Sequence, residues 1–111
     1  MNELKIALLQ VRPGACTEEN LETGIRYCRQ AREMGADIAL FPEMWSNGYG
    51  IYGRPAPEWQ AEAVPAEGEF AGAFAALARE LDMAIAVTFL EQYAPAPRNS
   101  LALFDRHGRR R

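Results

Sequence analysis

Two short apolar runs limit the folds open to this chain, because the segment between them is helical in spacing. Lys5-Ile6-Ala7-Leu8-Leu9 belongs to a strand expected over Leu4–Gln10, and Ile38-Ala39-Leu40-Phe41 to one expected over Asp37–Phe41. Both are nearly continuous in apolar character, as are strands buried on both faces of a parallel or mixed sheet. Between them Leu21, Ile25, Cys28 and Ala31 recur at spacings of four and three, which places them on one side of a helix from about Glu18 to Met34. Thr17 is positioned to cap its start, Glu18 and Glu19 suit its positive end, and Gly35 can close it in a left-handed conformation. Strand, helix, strand in this order makes a crossover connection, so the two strands should pair in parallel.

Pro42 ends the second strand, since proline cannot donate to a ladder. From Glu43 to Glu67 no periodicity holds: Gly48, Gly50, Gly53 and Pro55 are followed by Pro57 and Pro65, with one helical turn at most near Glu58–Ala63. A connection of about 25 residues is usually functional or disordered. A second helix is expected over Glu69–Leu81, with Phe70, Phe74, Leu77 and Leu81 as its apolar stripe, and further strands over Met83–Leu90 and Ser100–Phe104. Asp105-Arg106-His107-Gly108 reads as a hairpin turn, with Arg109–Arg111 starting a returning strand. The order β-α-β-loop-α-β-β implies an α/β fold, a mixed sheet with helices on one face. Domains rarely stop in mid-hairpin, so the natural chain is expected to continue or its tail to fray.

A length of 111 residues fits one small domain, and a 49% apolar composition is that of a globular chain. The longest apolar run, Met83–Leu90, is far short of the roughly 20 residues of a spanning helix. Met1–Gln10 holds one basic residue and only a brief apolar run, unlike a signal peptide. The expected setting is the cytoplasm, with no membrane partner. Five of the 12 basic residues fall in residues 98–111 beside a single acid; with no interleaved aromatics, that tail reads as a solvated hairpin rather than a nucleic-acid surface. Two cysteines are too few for a disulfide scaffold, and with the single histidine, His107, they form no recognisable metal site. Pro13-Gly14 lacks the spacing of a phosphate loop. Neither a metal nor a cofactor is expected.

The sharpest local signal is Asp37-Ile38-Ala39-Leu40-Phe41-Pro42-Glu43. An apolar strand delivers a carboxylate at its C-terminal end, where ligand sites of open α/β sheets tend to lie. Glu43 would stand at the mouth of a cleft lined by Met44, Trp45, Tyr49 and Tyr52. Partial burial there would favour proton uptake and suit it to act as a base near neutral pH. Trp59 would line a pocket or bury against the second helix, and Arg98 and Asn99 could reach the same region. Cys28 falls on the apolar helix face and reads as core; Cys16 precedes the helix, with no histidine near it in sequence.

Lys5-Ile6-Ala7, Asn20, Gly35-Ala36-Asp37, Phe41-Pro42-Glu43 through Gly48-Tyr49, Asn99-Ser100 and Asp105 through Gly108 together resemble the opening of nitrilase-superfamily carbon–nitrogen hydrolases. The resemblance covers essentially the whole chain. Trp45 to Tyr52 resembles most the branch acting on carbamoyl amines and ω-amides. It implies the first half of a four-layer αββα sandwich, whose inner sheet face is apolar and would be exposed without the remaining layers. It also implies hydrolysis of an amide, carbamoyl or nitrile through a cysteine acyl-enzyme, with Glu43 as general base, a small-molecule substrate and homo-oligomers of the full-length protein. Tyr49, Trp45 and Asn99 become candidate pocket residues. The family lysine lies a few residues beyond the turn at Gly108, and the nucleophilic cysteine much later; Lys5 is the single lysine here and lies at the wrong end. Residues 1–111 are therefore expected to be a partial domain, truncated before the catalytic lysine and cysteine and inactive alone. The alternatives are a non-catalytic α/β module that associates with a partner or complementary fragment, and an unrelated nucleotide-binding domain, against which the absent phosphate loop weighs.

Overall fold

Small residues decide how the first helix meets the sheet. In the computed structural model, which describes residues 3–111, the elements are β1 (Ile6–Leu8), α1 (Thr17–Glu33), β2 (Ile38–Leu40), α2 (Ala56–Gln60), α3 (Glu69–Leu81), β3 (Ala84–Glu91) and β4 (Arg98–Phe104). The buried row of α1 is Asn20, Gly24, Cys28 and Ala31. Leu21 and Ile25, expected on that row, flank it half-buried. The offset follows from space: a Cβ at Gly24 would lie 2.8 Å from Phe74 Cζ and 3.0 Å from both Phe41 Cε1 and Trp45 Nε1. Only a residue without a side chain lets α1 approach the aromatic cluster this closely. The N-cap of α1 is Cys16, not Thr17, and no side chain caps it. Gly35 adopts φ 89° and closes the helix as expected.

The strands form one sheet in the order β1-β2-β3-β4. β1 pairs with β2 and β2 with β3 in parallel, while β3 and β4 run antiparallel from Ile85↔Phe104 to Glu91↔Arg98. Helices α1 and α3 pack on one face. There Ala39, Ile85, Val87, Phe89, Ala102 and Phe104 meet Cys28, Ala31, Phe70, Phe74 and Leu77 in a continuous core. Phe74 stands edge-on to Phe41 and Phe70, with ring centroids 5.1 and 5.4 Å away, an arrangement that adds quadrupole attraction to burial.

The opposite face differs. Ile6, Leu8 and Leu101 are 55%, 61% and 55% exposed. The apolar run of β1 is thus covered on one side, not both, because the described residues furnish a single helical layer. Among these residues no helix is long and apolar enough to cross a membrane.

The segment after β2 is ordered. Met44, Ala63 and Leu90 form a second small core, with Tyr49, Ile51 and Trp59 packed against it. Trp59 therefore packs on this cluster rather than on α3. Val64 bridges to β3: its N–H donates to Leu90 O at 2.8 Å and its carbonyl accepts from Gln92 N–H at 2.8 Å. Glu62 accepts from Arg54 and Asn47, which ties the middle of the loop to its end. At the far hairpin Asp105 Oδ1 accepts from His107 N–H at 2.9 Å and Arg109 N–H at 3.0 Å, and Gly108 has φ 81°. His107 is exposed, and Phe104↔Arg110 opens the returning strand. The Arg109 amide, then those of His107 and the Arg111 guanidinium, hold the Asp105 carboxyl down at about 2.

Candidate active site

Glu43 lies three residues beyond β2, at the C-terminal end of the parallel strands. Its Oε2 accepts from Asn99 Nδ2 at 2.7 Å. Asn99 alternates with Leu101 and Leu103 along β4, so it shares their face of the sheet, the one opposite the helices. A residue 56 positions away in sequence thereby orients the carboxylate across the mouth of the sheet. The pair is exposed, not partly buried as the sequence suggested for Glu43, so water competes with this charge-assisted bond.

The main chain carrying Glu43 is fixed on both sides. Thr88 Oγ1 accepts from Trp45 N–H at 2.9 Å and donates to Pro42 O. Ser46 Oγ accepts from Leu90 N–H at 3.0 Å, and Asn20 Nδ2 donates to Ser46 O at 3.1 Å. Trp45 Nε1 donates to Asn20 O at 2.9 Å, while Asn20 Oδ1 takes Gly14 N–H at 2.6 Å. Asn20, Ser46 and Thr88 are the buried polar residues of the described chain, and each is satisfied by these bonds. Met44, directly after Glu43, has φ 51°. A left-handed conformation costs a side-chain-bearing residue roughly 1–2 kcal/mol and persists where the surroundings over-determine it.

Tyr49 packs on the small core of Met44, Ala63 and Leu90. Its phenol is pushed upward, chiefly by its hydrogen bond and charge interaction with Tyr52 and further by the negative charge of Glu43. The Tyr49 and Tyr52 rings stack at 5.8 Å, and Tyr52 is exposed. Glu43 and Asn99 are therefore brought together. Trp45 is not: it is 1% exposed and packs in the main core, 5.5 Å from the Phe41 ring. Its indole N–H finds an acceptor on α1, so burial leaves no polar group unpaired. Arg98 turns to the helix-covered side, where it meets Glu91 and the Tyr93 ring. Cys28 is buried, and burial pushes its thiol up to about 12; Cys16 is exposed at the start of α1.

Sequence reasoning missed the roles of Asn20, Ser46 and Thr88. Two signals for them were present: an amide in the row Asn20, Gly24, Cys28, and a hydroxyl inside the apolar run of β3.

Residues 5–110 match the family model for carbon–nitrogen hydrolase. The chain is 35% identical over 98 residues to N-carbamoylputrescine amidase of Oryza sativa subsp. japonica, a match that covers 85% of this chain and 32% of that protein. The chain thus spans about a third of the length of this curated relative. The NitN amidase of Nesterenkonia sp. AN1 superposes with a TM-score of 0.76 at 24% identity, over 97% of this chain and 42% of its own. A carbon–nitrogen hydrolase superfamily protein from Xanthomonas campestris, solved with an arsenic adduct in its active site, superposes with a TM-score of 0.76 at 19% identity, over 100% of this chain and 40% of its own. A mutant of the Nesterenkonia amidase shows acrylamide joined by Michael addition to the active-site cysteine.

Proposed function

We propose, from the premise that this chain belongs to the carbon–nitrogen hydrolase family, that Glu43 is the general base in hydrolysis of a non-peptide carbon–nitrogen bond by the full-length protein. The bond is that of an amide, a carbamoyl group or a nitrile, and the branch acting on carbamoyl amines and ω-amides is the closest in character. On this reading residues 1–111 are a partial domain, and the nucleophilic cysteine and the lysine come from chain outside them.

The reaction on an amide begins at Glu43. Glu43 takes the proton of the cysteine thiol, and the thiolate attacks the carbonyl carbon to form a C–S bond. The lysine offsets the negative charge that develops on the substrate oxygen. The C–N bond breaks as Glu43 returns its proton to nitrogen, and ammonia leaves. Water then gives a proton to Glu43 and its oxygen to the acyl carbon; the C–S bond breaks, the acid departs and the thiol is restored.

The Asn99–Glu43 bond at 2.7 Å carries this reading. It holds one carboxylate oxygen at the C-terminal end of the parallel strands and leaves the other to exchange a proton. Cys28 does not compete for the nucleophile's role: a thiol pushed up to about 12 in the core is not a thiolate at neutral pH. In the full-length protein Glu43→Gln should lower kcat/KM for a small amide by about 10²–10⁴-fold, measured as ammonia release. The 111-residue chain should release none. Near-normal turnover by the Gln variant would remove Glu43 from this role.

A further inference from the structure

We propose that Thr88 is a positioning residue for Glu43: its buried hydroxyl fixes the peptide segment that presents the carboxylate. The inference rests on the reading of Glu43 as base.

Thr88 interrupts an otherwise apolar stretch of β3, from Ala84 to Leu90, and is 6% exposed. Valine has the same shape and suits a strand equally well, so packing does not explain a hydroxyl there. A buried hydroxyl is tolerated only when its bonds are made. Both partners are main-chain groups of one short segment, Pro42 O and Trp45 N–H. β2 ends at Leu40, so these groups have passed the last ladder position. A single side-chain oxygen replaces the lost ladder for the residues on either side of Glu43 and Met44.

The left-handed Met44 lies inside that bracket. A chain free to relax would leave this conformation and swing Glu43 with it; the hydroxyl bond at each end opposes that. Ser46 and Asn20 pin the next residues along, one step further from the carboxylate. Asn99 acts on the side-chain tip. Thr88 therefore sets where the main chain places Glu43, and Asn99 sets where the carboxylate points.

The test uses the full-length protein with a small amide substrate. A displacement near 1 Å at a reacting group can slow the chemical step about 100-fold. Thr88→Val should accordingly lower kcat by about 10–100-fold while KM moves less than about twofold, since binding is not touched. Thr88→Ser should return kcat to within about threefold of the parent. On a Glu43→Gln background Thr88→Val should add no further loss, because both act through one group. Thr88→Ala, which leaves room for water to serve both main-chain groups, is the second variant should the valine chain fail to fold; it should show a smaller loss in kcat, again without a change in KM. A folded Val or Ala variant with parental kcat, or with its loss confined to KM, overturns the positioning role while an inactive Glu43→Gln leaves the base reading standing. A Glu43→Gln enzyme of near-normal rate removes the base reading, and the positioning role with it.

Discussion

The two faces of the sheet are equally apolar in sequence and opposite in fate. On the helix side Ile85, Val87, Phe89, Ala102 and Phe104 are sealed beneath α1 and α3. On the other, Ile6, Leu8 and Leu101 stand more than half exposed. The difference is not one of residue type; it lies in what is stacked above. Each strand contributes to both faces by alternation, so the pattern that builds the covered core also builds a second apolar surface, covered near Leu90 by Met44 and Ala63 and left without a layer at Ile6, Leu8 and Leu101. Surfaces of that kind mark places where protein meets protein.

Three substitutions grade the contrast. The largest effect belongs to the covered side. Phe74→Ala would open a void against Phe41 and Phe70 and should lower unfolding free energy by about 3–5 kcal/mol, read as a shift of the urea midpoint or as failure to fold. A much smaller loss would show that the aromatic cluster is not packed as described. Next comes Leu8→Lys on the open side. In the 111-residue chain it should change stability by about 0.5 kcal/mol or less and reduce self-association in sedimentation. In the full-length protein it should cost several times more. Equal cost in the two contexts would erase the distinction between the faces.

The smallest effect is at the hairpin that closes β4. The Asp105 carboxyl is held at about 2, below its ordinary value, by the amides of Arg109 and His107 and by Arg111. A group depressed by folding stabilises the fold above its ordinary range, and that contribution disappears as pH falls through about 2. Asp105→Asn should remove this part of the acid limb between about pH 4 and pH 2 and leave the rest of the profile in place. An unchanged acid limb would show that the turn stores no such linkage.

Periodicity and punctuation were enough for the architecture. The α3 boundaries, the β-α-β opening, the stop at Gly35 and the turn at Gly108 all follow from local rules. Two kinds of feature were not legible. The first is burial set by distant partners. Leu21 and Ile25 look like the inward row of α1, yet Gly24 faces the core because Phe41, Trp45 and Phe74 crowd that spot. Trp45, flanked by polar and glycine-rich sequence, reads as a pocket wall but is core, because α1 offers it an acceptor. The second is polar pairing across long separations. Asn99 and Glu43 were each nameable as candidates, but only the antiparallel return of β4 brings amide to carboxylate. Thr88 gave no sign beyond one hydroxyl in an apolar strand.

The long connection between β2 and α3 is fastened at both ends: by Thr88 and Ser46 near its start and by the Val64 bridge near its finish. Between those anchors Tyr49, Ile51 and Trp59 pack on Met44 and Leu90, so only the exposed stretch from Tyr52 to Glu58 answers to neither sheet register nor the placement of Glu43. Since doubling a loop's length adds only about 0.6 kcal/mol of closure entropy, this span is an exchangeable cassette. Grafts of other lengths and compositions between the two anchors could reshape what approaches the carboxylate without retuning the strands that carry it.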